Sequence, residues 1–134
     1  MFNTVMLDKK EVIQKEISNY AKFFDFNNAY LLLKKLRRET RNKPVIMAGL
    51  SGLIINALGN LLSALKNPAT PSQLKTMIVG SIGYLLLPAS LKPIMITSAG
   101  FTNNLANISK VVQSVNKYSN FKIEKLDAEI DAEN

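Results

Sequence analysis

The chain has 134 residues, of which 47% are hydrophobic and 20% charged, with a formal net charge of +7. That length supports one helical domain and excludes two independent cores. With no cysteine and no histidine, the chain forms no disulfide, thiolate nucleophile or cysteine metal site, and it lacks the usual proton shuttle of neutral pH.

The charge is segregated. Residues 1–43 carry ten basic and five acidic side chains, and residues 44–119 carry five lysines and no acid. Residues 120–134 set two lysines against Glu124, Asp127, Glu129, Asp131 and Glu133. We therefore divide the chain into amphipathic N-terminal helices ending in a basic cluster (1–43), an apolar helical core (44–119) and an acidic tail or helix extension (120–134). The first twenty residues mix acids with lysines and lack the uninterrupted apolar run of a signal peptide.

In chain order, Val12, Ile13, Ile17, Tyr20, Ala21 and Phe24 recur at helical spacing and predict an amphipathic helix from Asp8 to Phe24. Phe26 as a staple and Asn27 as an N-cap predict a second helix through Leu31, Leu32, Leu33 and Leu36. Its end runs into the basic cluster Lys34, Lys35, Arg37, Arg38, Arg41 and Lys43, against the single acid Glu39. The next 22 residues, Pro44 to Leu65, carry no charge. At about 1.5 Å per residue they approximate the ~30 Å of a bilayer's hydrocarbon.

On a helical projection Gly49, Gly52, Asn56, Gly59, Asn60 and Ser63 form one small, polar stripe. Membrane helices pack through such stripes, and a central helix of a soluble bundle can use the same geometry. The segment is expected to span a membrane, with the basic cluster on the cytoplasmic side and against anionic lipid. The structural alternative for the cluster is a solvated helix end that complements the helix dipole.

"KNPATPSQ" predicts a turn, with Thr70 or Ser72 as the next N-cap. Met77 to Leu87 is apolar but only eleven residues long, too short for a straight crossing. Pro88 ends or kinks it, and residues 94–96 suggest a return hairpin or core loop. Phe101, Leu105, Ile108, Val111, Val112 and Val115 then define an amphipathic helix finishing near Tyr118.

The run "NPATPSQLKTMIVGSIGYLLLPASLKP...GFTNNL" resembles the YkvA-like domain, a family of small helical proteins often described as membrane-associated and of unknown general function. The likeness covers Leu61 to Val115 and rests on the proline-containing loop, Tyr84, Pro88, Pro93 and the glycine that leads the last helix. The family pattern has acids at the positions of Ser90, Ile94, Asn103 and Asn104, and this chain has none there. Two asparagines cannot replace the negative ligand field of two carboxylates, so a packing role is expected at this turn.

"AGLSG" lacks the Lys-Ser/Thr ending of a phosphate-binding loop. Ser51, Ser81 and Ser98 have no histidine to activate them. Lys75 and Lys92 read as surface or snorkelling lysines. The expected fold is all-α, a small bundle of about four to five helices with a proline-containing turn or helical hairpin. The expected function is non-enzymatic, with no cofactor and no metal: a membrane-associated protein that binds anionic lipid or a protein partner. The alternative is a soluble regulatory, inhibitor or immunity-type protein that docks an acidic partner. Nucleic acid is disfavoured, because no module alternates stacking aromatics with phosphate contacts. Homo-oligomerisation stays open.

Overall fold

The computed structural model describes residues 20–87 and 99–133, with the backbone alone for 99–104. Among them the architecture is all-α. A 3-10 turn at Ala21–Phe23 precedes α1 (Phe26–Thr40), α2 (Pro44–Met47), α3 (Leu50–Lys66) and α4 (Ser72–Leu85). Then come α5 (Ala99–Val115), a second 3-10 turn at Asn116–Tyr118, and α6 (Ile123–Ala132). Six helices exceed the expected four to five because Pro44 opens a short helix of its own and the acidic tail is helical. Most of the expected helix from Asp8 to Phe24 lies outside the described residues; its end is the 3-10 turn.

Local chemistry sets the boundaries. Asp25, rather than Asn27, caps α1: its carboxylate accepts the Asn28 amide at 3.0 Å, satisfying one of the free donors of a helix N-terminus. Past the other end, Asn42 has φ 67°, a left-handed conformation that asparagine tolerates better than most side chains. Neither Thr70 nor Ser72 is the cap of α4, which begins after Pro71 without a side-chain cap. The buried Thr70 hydroxyl instead donates to the Ala64 carbonyl at 2.6 Å, occupying an acceptor at the C-terminus of α3.

The expected membrane span is the main correction. Residues 44–65 are not one helix: the chain turns at Ala48 and Gly49, where Gly49 is extended (φ −96°, ψ −151°). Of the two pieces, α2 has four residues and α3 seventeen. Among the described residues no helix is long and apolar enough to cross a membrane. The membrane-associated function, and the location of the basic residues beside a span, fall with that helix.

The charge-free stretch has a different physical origin. The broad apolar face of such a helix is covered either by lipid or by protein, and here protein covers most of it. Ile55, Leu58, Leu61 and Ala64 of α3 are fully covered, and they join Leu33 of α1, Ile78 and Ile82 of α4, Val111 and Val115 of α5, and Leu126 and Ile130 of α6 in one core. Val45, Ile46, Leu50 and Leu53, around the α2–α3 corner, remain exposed.

Candidate functional site: a lysine-rimmed groove beside an ion-paired helix

The basic cluster lies on the last turns of α1 and the loop that follows. Four of its six members meet carboxylates of α6 and of Glu133 at its C-terminal end. Arg37 grips Asp127 with two hydrogen bonds, Nε to Oδ1 at 2.7 Å and Nη2 to Oδ2 at 2.9 Å. Arg41 also grips Asp131 with two hydrogen bonds, from Nη1 to Oδ1 at 2.7 Å and from Nη2 to Oδ2 at 2.9 Å. Glu133 accepts from Lys34 at 2.5 Å and from Arg38 at 2.7 Å. Lys35 and Lys43 are exposed. The strongest positive field legible in the sequence is thus largely met inside the molecule.

These contacts shift the carboxylates. The Arg37 hydrogen bond, helped by its charge, holds Asp127 below the usual carboxylate range and raises the Arg37 guanidinium in turn. Arg41 lowers Asp131, and Lys34 followed by Arg38 lowers Glu133. A carboxylate with a depressed folded-state pKa adds stability above its unfolded value, near 4, and loses it as pH falls through the folded value. Melting temperature should therefore change little between about pH 7 and 5 and fall below about 4, modestly because the pairs are largely solvent-exposed. The Asp127→Asn/Asp131→Asn/Glu133→Gln variant should show a shallower fall in the same pH series; an equal acid slope in both proteins would contradict the assignment.

Beside α6 the surface opens into a groove of about 650 Å³. Its lining mixes polar side chains with an aromatic and apolar floor made of Phe26 and Tyr30 from α1, Gly59 and Leu62 from α3, and Tyr118 and Phe121 from the chain between α5 and α6. Four lysines, Lys66, Lys117, Lys122 and Lys125, stand around it, and Glu129 is the one acid in the lining. The ammonium of Lys66 sits 5.2 Å from the Phe26 ring centre and 6.0 Å from that of Tyr30, and Lys117 lies 5.2 Å from Tyr118. Cation–π attraction of about 0.5–1 kcal/mol at such exposed sites biases these flexible lysines toward the aromatic floor.

The small, polar stripe of α3 builds one wall. Gly59 faces the Phe121 ring so closely that any Cβ there would overlap it. The Asn60 amide donates to the Asn56 carbonyl at 2.8 Å, while its oxygen accepts the Ser119 hydroxyl at 2.7 Å. Ser63 donates to the Asn120 side chain at 2.6 Å and accepts the Asn120 amide at 2.8 Å. Asn67 adds a bond to the Tyr118 carbonyl at 3.1 Å. The stripe thus seats residues 118–121 of the same chain. Gly49 and Gly52 lie apart from it, at the α2–α3 corner, with Gly52 against the Met47 backbone.

Tyr84 is buried on α4, its ring edge-on to Tyr20 at 4.9 Å. Pro88, Ser90 and Pro93 lie outside the described residues. Asn103 and Asn104 belong to the part of α5 described by backbone alone. Among the described residues no group of three or more His, Cys, Asp or Glu side chains could hold a metal.

The groove was not legible in the sequence because its lysines are scattered along the chain and its aromatics come from α1 and from the distant segment between α5 and α6. One local signal existed, the alternation of lysine and aromatic in "KYSNFKIEK", residues 117–125. Compared with known protein families, with curated proteins and with solved structures, the chain matches none.

Proposed function

We propose that this is a helical binding domain of regulatory or inhibitory type, whose groove docks an acidic segment of a partner protein. The observation that carries the reading is the pairing of four lysines and a single glutamate with an aromatic floor in one concave surface. An acidic segment bearing apolar or aromatic side chains matches both parts. Its anchors would exclude water from the floor, at about 25 cal/mol per Å² of apolar surface covered. Its carboxylates would meet the rim, where charge favours encounter rate and partner choice more than raw affinity.

Binding rather than catalysis is further supported by the composition. The chain has no histidine or cysteine, and the groove pairs no nucleophile with a base. A nucleic-acid strand would call for cations that track a row of phosphates, whereas these lysines ring a single depression.

The test is a titration with a fluorescein-labelled peptide in which glutamates alternate with phenylalanine and leucine. Lys66→Glu/Lys122→Glu is expected to weaken binding by about tenfold or more, since each reversed rim charge changes the free energy by up to about 1 kcal/mol. Lys110→Glu, on exposed α5 and outside the groove, should leave binding unchanged. Equal affinity in all three proteins, or displacement of the peptide by oligothymidylate, would overturn the reading.

A further inference from the structure

The C-terminal helix carries the tandem "LDAEIDAE", residues 126–133, in which an apolar residue followed by aspartate recurs after one helical turn. Leu126 and Ile130 are buried, while Asp127 and Asp131 take Arg37 and Arg41, themselves four residues apart on the chain. Both elements therefore share one repeat, with two bidentate rungs flanked by two apolar anchors. Bidentate arginine–carboxylate pairs fix geometry as well as charge. Glu133 completes the set by bridging Lys34 and Arg38.

The helix holding this position is short. It has ten residues, only two of them buried, and helices of that length are marginal in isolation. Its ion pairs are partly or largely exposed: Asp131 and Glu133 keep 59% and 41% of their side-chain surface in solvent. Such pairs exchange partners readily, because water and salt screen them.

We propose that the face formed by Lys34, Arg37 and Arg38 of α1 and by Arg41 just past its end is a receptor for an acidic amphipathic helix of a partner protein, one that repeats the apolar–Asp pattern every four residues. In the free protein α6 is the intramolecular occupant of that face. This surface adjoins the groove, since Lys125, Leu126 and Glu129 of α6 also line the groove and the Lys34 ammonium sits 4.9 Å from the Tyr30 ring centre, but its cations are not those of the groove. Its ligand is recognised by helical register, whereas the groove takes a segment through its anchors. Because α6 is tethered, it competes at a high effective concentration. A partner helix succeeds by presenting more repeats or longer apolar anchors than α6 does.

The probe is a labelled peptide of residues 119–134, titrated into the full-length chain. Wild type, with its own helix in place, is expected to bind it poorly. Asp127→Asn/Asp131→Asn/Glu133→Gln, which loosens α6, should bind at least tenfold more tightly. Adding Arg37→Glu/Arg41→Glu should abolish that gain, adding Lys66→Glu should not, and a scrambled peptide of equal charge should bind at least tenfold more weakly.

If the triple variant does not fold, Asp131→Asn alone, at an exposed position, should give a severalfold gain. Equal binding by wild type and the loosened variants overturns the proposal. So does a scrambled peptide that binds equally well, or loss of binding through Lys66→Glu, which would put the peptide in the groove.

Discussion

Replacing Gly83 with alanine is expected to destabilise the protein by about 1–3 kcal/mol, the usual range for overpacking a tight site. The sign is informative, because alanine in place of glycine inside a helix normally favours it by about 1 kcal/mol. Here the added Cβ would overlap the Tyr20 backbone carbonyl and come within 3.4 Å of the Phe24 amide. No flexible side-chain tip can swing aside, so the 3-10 turn at Ala21–Phe23 must move and the Tyr20–Tyr84 ring contact opens. Urea unfolding followed by circular dichroism should show a lower midpoint with an unchanged slope. A higher midpoint would mean that the turn does not pack against α4.

The second large effect is at Gly59, where stability and binding separate. An added Cβ would lie 2.5 Å from atoms of the Phe121 ring, but that ring is the end of a side chain and can rotate. Gly59→Ala is therefore expected within about 1 kcal/mol of wild type, helix propensity offsetting the lost packing. Gly59→Leu cannot be accommodated by rotation. It should cost about 1–3 kcal/mol and remove the Phe121 part of the floor, cutting acidic-peptide binding by more than tenfold while the protein stays helical. Undiminished binding by Gly59→Leu would show that the peptide does not use this floor.

The all-α class was legible because helical periodicity is local. Leu105, Ile108, Val111 and Val115 mark α5 by spacing alone, and Leu33 with its neighbours marks α1. The membrane span was not decidable on the same grounds. An uncharged run of 22 residues reads alike for lipid and for protein core, and what separates them is the turn at Ala48–Gly49 together with the helices that cover α3. The capping residues were misplaced by local competition: Asp25 starts the helix two residues before the expected cap Asn27 and takes the Asn28 amide, and Thr70 is drawn to the end of α3.

The charge pattern was visible and its consequence was not. The basic residues of α1 meet partners 90 to 99 positions away, a distance at which residue order carries no contact information. Both halves, the cluster at 34–43 and the acids at 124–133, stood out as opposite runs. What composition could not supply is that they share one face, leaving the isolated lysines at 66, 117, 122 and 125 to define a groove.

The most direct test of acidic-segment docking is a two-dimensional amide NMR titration of the full chain with the glutamate-rich, phenylalanine-containing peptide. Dose-dependent shifts are expected, concentrated at Tyr30, Gly59, Lys66, Tyr118, Phe121 and Lys122 and weakening as salt is raised. Shifts centred on Val45, Ile46 and Leu53 at the α2–α3 corner, or none at millimolar peptide, would contradict it.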